Sequence, residues 1–436
     1  MKQHSTSKFW LALIIFSLTG QIAWVVENMY FNVFLYEMFH ARPADISAMV
    51  SASAVSATLT TLLVGAFSDK VGKRKVFICG GYILWGLSIC AFAAIRPDVI
   101  ESLFPAMAAS AAAIGVTLTI VMDCVMTFFG SSANDACFNA WLTESTDRTN
   151  RGAAEGINAM MPLVAILAVF GGFMGFDLSK AESWTVVFLI IGIVVIVIGV
   201  LGLFLLQEST HISDENRSCM RNILYSFRPS VIREHRLLYL GLLVFALFNI
   251  SIQIFMPYLI LYYTESLQMD NYVLIMAPAV IVASVFTALY GRAYDKIGFT
   301  RAVIPTLALL VLGYLTLFFF RNTIPVFLGS LLMMSGYLSG SAMFGALIRE
   351  HTPAGKAGMF QGVRIIGQVL VPGVIGPAIG AAVLKNAETV VNNDGTESFI
   401  PNTNIYAAAL VAAVVLLLTL IPVCQALRKG GNPDGA

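Results

Sequence analysis

Residues 65–75 read GAFSDKVGKRK, and residues 291–301 read GRAYDKIGFTR. Gly65 and Gly291, Asp69 and Asp295, Lys70 and Lys296, and Gly72 and Gly298 coincide at one offset of 226 residues. Four identities within eight positions mark an internal duplication, with each half of the chain one structural unit. The first copy is a polar island between AMVSASAVSATLTTLLV and VFICGGYILWGLSICAFAAI. Each flanking run is long enough to cross a bilayer as a helix.

Composition extends that reading to the whole chain. Of 436 residues, 58% are hydrophobic and 12% charged, and the mean hydropathy is +0.81. So much apolar surface would aggregate in water, whereas a bilayer solvates it. A net charge of +1 supplies no basic field for nucleic acid. The six cysteines form no CxxC pair and read as packing residues. The run after Lys8 continues to about Phe39, too long for a signal-peptide core, so a first span is expected there.

Twelve spans are predicted, at roughly 9–38, 46–67, 76–95, 117–141, 156–176, 184–206, 237–263, 271–290, 302–320, 325–348, 361–384 and 405–427. The expected fold is all-α, with two pseudo-symmetric six-helix bundles at 1–206 and 237–436 joined by a cytoplasmic linker at 207–236. That linker is expected to carry a short amphipathic helix. Residues 97–116 have no counterpart in the second half and either extend the fourth helix or lie along the outer interface. With both termini inside, all but six of the 26 lysines and arginines fall on inner segments. Arg42, Arg96, Lys180, Arg321 and Lys385 lie outside, and Arg364 lies within a span. This bias predicts a multi-pass protein of the cell membrane with cytoplasmic termini.

A second match supports the duplication. Glu144, Gly152 and Gly156 align with Glu350, Gly358 and Gly362 once the 97–116 insertion is allowed for. At the first offset Glu27 falls on Gln253, a polar position shared by the first and seventh helices.

Ionisable groups inside spans cost roughly 2.5–3.5 kcal/mol on insertion scales and are functional candidates by default. Helical spacing places Gln21, Trp24, Asn28 and Phe31 along one face, with Glu27 beside it. A carboxylate, amides and an aromatic plane suit a polar ligand with an apolar face. The alternative is an interhelical hydrogen bond, or a pair with Arg364. Asp135, in SSANDACFNAW, sits among Asn134 and Asn139, whereas Asp123 is placed nearer the outer end, within reach of water. Arg364 needs an acidic partner, Glu27 or Asp135, or an anionic ligand. Its repeat partner is Asn158. The substrate set is thus Trp24, Glu27, Asn28, Asp135, Asn158, Gln253 and Arg364.

The two loops carry the gating candidates. Gly65 permits close approach of a neighbouring helix, and Asp69 accepts hydrogen bonds from helix N-terminal amides or pairs with an arginine. Lys70, Lys73, Arg74 and Lys75 hold the loop against the anionic inner leaflet. Gly72, Gly291, Asp295, Lys296, Glu144 and Arg151 complete the set. A basic loop with topological value alone would explain the lysines, but not the recurring Gly–Asp–Gly spacing. In the eleventh helix, Gly367, Pro372, Gly373, Gly376, Pro377 and Gly380 either loosen the helix or allow tight packing.

The repeated loop resembles that between helices two and three of the major facilitator superfamily of secondary transporters, with its echo between helices eight and nine. Residues 135–148 look like the corresponding segment of the glycoside–pentoside–hexuronide:cation symporters. That resemblance implies that Asp135 accepts sugar hydroxyls. The acidic residues those symporters use on helix two for the coupling cation have no counterpart in this chain. The arginine typical of helix four in drug/proton antiporters is also missing.

No P-loop, HExxH or metal-spaced histidine pair occurs, so neither an enzyme nor an ATP-driven pump is expected, and no cofactor. The expectation is a monomeric, alternating-access carrier in the lipid bilayer, symporting a small polar solute such as a sugar or glycoside with a proton or sodium ion. An exporter of amphiphilic compounds and a transporter-like solute receptor are the alternatives.

Overall fold

The chain is described here by a computed structural model covering residues 7–146, 150–207, 225–269, 271–353, 357–392 and 395–430. Among these residues there are twelve helices long and apolar enough to span a membrane. They are α1 (Ser7–Phe39), α2 (Pro43–Ser68), α3 (Arg74–Ala94), α4 (Ala111–Glu144), α5 (Gly156–Phe173) and α6 (Ala181–Leu205). The second half supplies α7 (Arg236–Ser266), α8 (Val273–Tyr294), α9 (Phe299–Phe319), α10 (Thr323–His351), α11 (Gly362–Leu384) and α12 (Asn404–Leu427). The chain divides into two compact units, Met1–Cys219 with Val391–Ser398, and Met220–Val390 with Phe399–Ala436.

Local sequence sets the helix ends. Pro43 opens α2 at a position that needs no N–H, and the Asp45 carboxylate accepts the Arg42 backbone N–H at 2.9 Å. The helical run from Pro43 stops at Gly72, whose φ of 69° is left-handed and whose N–H reaches Ser68 O at 2.9 Å. Within the first unit, α3 and α6 meet through Gly86 and Gly192. A Cβ on Gly86 would stand 2.5 Å from the Gly192 carbonyl oxygen. Helices in lipid gain little from apolar burial alone, so backbone contact through small residues holds such pairs. In the second unit Gly313 serves α9 likewise, because its Cβ would lie 2.5 Å from the Met333 amide nitrogen of α10. Large apolar side chains such as Phe204, Phe319 and Ile324 are exposed, as a lipid-facing surface requires.

Several expectations are revised. Residues 97–116 do not act as one piece: Pro97–Leu103 is a separate short helix, Pro105–Ser110 a 3-10 turn, and α4 begins at Ala111. Arg96 pins this excursion. Its guanidinium donates to both oxygens of Asp98 at 2.9 and 3.0 Å, to Glu182 at 3.3 Å and to Thr185 at 3.3 Å. The hydrogen bond from Arg96 holds the Asp98 carboxyl below its ordinary value. In the 207–236 segment the described helix is Pro229–Glu234, and residues 208–224 lie outside the described residues. An unforeseen hairpin, β1 (Thr389–Val391) with β2 (Glu397–Phe399), joins α11 to α12.

Candidate functional site

Two stretches of wider helix shape the first unit. In α1, Val26–Tyr30 is π-helical, with the Phe31 N–H reaching back to Val26 O. Such a segment leaves carbonyls without their usual partners. Asn28 Nδ2 donates to Trp24 O at 2.7 Å, and Asn32 Nδ2 to Asn28 O at 3.0 Å. In α4 the π-helical segment is Ser131–Phe138, and Asn139 Nδ2 donates to Asp135 O at 3.2 Å. Each of these three amides thus donates its Nδ2 hydrogen to a backbone carbonyl one turn back.

The extra residue also corrects the expected polar face. Asn28 is exposed, whereas Phe31 is buried among rings, 4.7 Å from Phe92 and 5.5 Å from Phe188 between centroids. Glu27 turns inward and is 6% exposed. Its Oε1 accepts from Ser53 Oγ of α2 at 2.6 Å and from Thr127 Oγ1 of α4 at 2.9 Å. The two hydroxyl oxygens are themselves 2.9 Å apart. Asp123, expected within reach of water, is 1% exposed and interacts with the same Ser53 and with Glu27. α4 runs on past residue 117 to Ala111, which puts Asp123 deep in the helix.

Asp135 sits twelve residues, about three turns, further along the same helix. Ser131 Oγ donates to its Oδ2 at 3.0 Å, and Asn134 Nδ2 to its Oδ1 at 3.3 Å. Asn134 Oδ1 is in turn met by the Tyr82 hydroxyl at 3.0 Å, which also points at Phe16 O at 2.8 Å. Gly20 makes this possible, since a Cβ there would fall 2.5 Å from Asn134 Oδ1. Trp24 stands near enough to interact with Asp135, while its Nε1 meets no acceptor at hydrogen-bonding geometry. The Trp24 and Trp85 rings lie 5.0 Å apart at 44°. They close over Gly130, where a Cβ would come within 2.7 Å of Trp85. A carboxylate, a hydroxyl, an amide and indole surface therefore meet on α1, α3 and α4.

Asn158, Gln253 and Arg364 have neighbours of their own. Asn158 Oδ1 accepts Ser17 Oγ at 2.5 Å, tying α5 to α1. In the second unit Gln253 packs against Gly376, whose Cβ would stand 2.4 Å from that of Gln253. This puts the α11 glycine to use in close packing on α7. Arg364 is half-buried, its Nε has no hydrogen-bond partner, and it forms no ion pair among the described residues. The charge acting on it is another cation, Arg349.

The gating loop is revised at Arg74 and at Gly65. Arg74 does not face a lipid surface. It is 3% exposed and donates to Glu144 Oε1 at 2.9 Å and to Ser68 Oγ at 2.5 Å. Lys70, Lys73 and Lys296 remain exposed. Gly65 is not a close-contact glycine here: a Cβ would sit 3.7 Å from that of Ala136, an ordinary contact. Gly291 has open space and lines a cavity of about 210 Å³ with Tyr290, Tyr294 and Met343. The side chains of Asp69, Arg151 and Asp295 lie outside the described residues.

Sequence reasoning missed Ser53, Thr127, Tyr82 and Trp85. Serine and threonine are common packing residues in apolar helices, and neither aromatic had a polar neighbour in sequence to single it out.

Comparison with known proteins adds three findings. A family model for the Major Facilitator Superfamily matches residues 9–377. Over 196 residues the chain is 31% identical to sugar efflux transporter B of Salmonella typhimurium, covering 45% of each. The chain thus spans under half the length of the curated relatives it matches. Among solved structures, a D-xylose-proton symporter matches with a TM-score of 0.70 at 15% identity, covering 95% of this chain and 97% of that one. The nucleoside transporter NupG matches at 0.68 and 12%, covering 95% and 98%. At these identities the solved structures establish the fold.

Proposed function

The chain belongs to the Major Facilitator Superfamily, and on that footing we propose a cation-coupled carrier for a small polar solute of the sugar class. Its family and fold are those of transporters, not enzymes. The carrier works by alternating access in a cell membrane, with both termini cytoplasmic as the lysine and arginine distribution favours.

One observation carries the substrate class. Asp135 presents a carboxylate, braced by Ser131 and Asn134, beside the indoles of Trp24 and Trp85. Sugars offer hydroxyls that a carboxylate accepts and a C–H face that an indole covers. The Arg74–Glu144 pair fits a contact made in one conformation and released in another.

The test is uptake of a panel of labelled sugars into proteoliposomes under an imposed proton or sodium gradient. Wild type should accumulate at least one sugar, and Asp135→Asn should lose about tenfold or more in uptake, as expected when a charged hydrogen bond worth about 1.5–3 kcal/mol is removed. No accumulation from a broad panel would remove the sugar reading.

Export is a second reading of the same site. It is favoured by the identity with a protein named as a sugar efflux transporter. Inside-out vesicles separate the two, because an exporter concentrates the sugar only in that orientation.

A further inference from the structure

We infer that Glu27 and Asp123, with the hydroxyls of Ser53 and Thr127, form a binding site for one monovalent cation, a proton or Na⁺, separate from the Asp135 cluster. The inference rests on the reading of the chain as a coupled carrier and names where the coupling ion sits.

Charge is the first argument. Both carboxylates are more than nine-tenths buried, and the spans of the first unit contain no lysine, arginine or histidine between their ends. Two adjacent acids in a low-dielectric interior need a positive charge or a proton.

Unused bonding capacity is the second. Glu27 Oε2 and Asp123 Oδ1 are buried and have no hydrogen-bond partner. Native structures rarely leave such oxygens unsatisfied, and each exception calls for an explanation such as an ion.

The third argument is a count of hydrogens. Glu27 Oε1, Ser53 Oγ and Thr127 Oγ1 form a triangle with sides of 2.6, 2.9 and 2.9 Å. Two hydroxyl hydrogens serve three contacts, so with Glu27 ionised one contact has no hydrogen. A proton on Glu27 would close the ring. Na⁺, a hard ion that favours oxygen ligands, would instead draw on the carboxylates and the hydroxyl lone pairs. The other titratable groups acting on the pair are Asp135 and the Cys124 thiol, both on α4, and α2 brings only its hydroxyls.

Thermal melting of the purified full-length protein tests this without any sugar. One series replaces choline chloride by NaCl at fixed ionic strength and pH, and a second varies pH from 5 to 8 without Na⁺. Wild type should gain melting temperature with Na⁺ in the first series if the ion is sodium, or with acidification in the second if it is a proton. Asp123→Asn should abolish the responding shift. Ser53→Ala, a milder change that keeps both charges, should move its midpoint by about tenfold in cation concentration, the loss of one hydrogen bond to a charged group. A wild type unmoved in both series would overturn the site, as would an unchanged shift in both variants. A failed sugar panel strikes only the substrate reading, whereas flat melting curves strike only the cation site.

Discussion

Arg74 opens α3 and closes on Glu144 at the end of α4, with the guanidinium 3% exposed and 2.9 Å from the carboxylate. Its Nη1 donates to Ser68 Oγ, which itself donates to Gly65 O at 2.8 Å. The ends of α2, α3 and α4 are thereby joined through one buried cation. Exposed pairs contribute little to stability, but a buried charge that loses its partner costs several kcal/mol.

Glu144→Ala should therefore destabilise more than Arg74→Ala. The first removes an acceptor from a guanidinium that is 3% exposed, at a cost of about 3 kcal/mol, and the second removes the buried cation itself and leaves a carboxylate whose side chain is 20% exposed. Melting temperatures of both variants and the double variant measure this. Equal, small shifts would show that the pair contributes nothing.

Tyr82→Phe removes the hydroxyl shared by Asn134 Oδ1 and Phe16 O without opening a cavity. The loss should be about 1 kcal/mol. Because Asn134 also braces Asp135, the apparent affinity for solute should fall several-fold while expression is retained. Unchanged affinity would separate Tyr82 from the site.

Gly86→Val drives a branched side chain into the Gly192 backbone of α6. Overpacking costs about 1–3 kcal/mol, and an unyielding backbone neighbour puts this case at the upper end or beyond. The expected outcome is loss of monodisperse protein on size-exclusion chromatography. Val on the lipid-facing position of Leu201 should be tolerated, and it controls for helix propensity.

Asp98 gives a pH prediction with a definite sign. Its carboxyl is held below the ordinary value by hydrogen bonds from Arg96, so the contact stabilises above that value and is lost as pH falls through the depressed one. Both partners are solvent-accessible, so the contribution stays below about 1 kcal/mol and is screened by salt. The protection of residues 97–103, taken as the ratio of intrinsic to observed hydrogen-exchange rate at each pH, should therefore fall below about pH 4, where an ordinary Asp carboxyl takes up its proton, and Arg96→Ala should remove that dependence. Protection that does not change with acid in wild type would refute it.

The sequence by itself determined twelve apolar spans, the internal repeat and the superfamily. These are local or chain-periodic signals: twenty apolar residues cross a bilayer whatever their neighbours, and a repeated loop motif survives in one dimension. It also singled out Trp24, Glu27 and Asp135 as polar candidates within the spans of the first unit. Tertiary structure alone decided which groups meet. Glu27 is bonded to Ser53 and Thr127, the latter 100 residues away, and stands with Asp123, which the sequence had placed near water. The reason is geometric: one extra residue in the π-helical turn at Val26–Tyr30 rotates everything beyond it by about 100° relative to a regular helix. Phe31, just beyond the turn, is buried, and no count in steps of 3.6 residues contains that rotation.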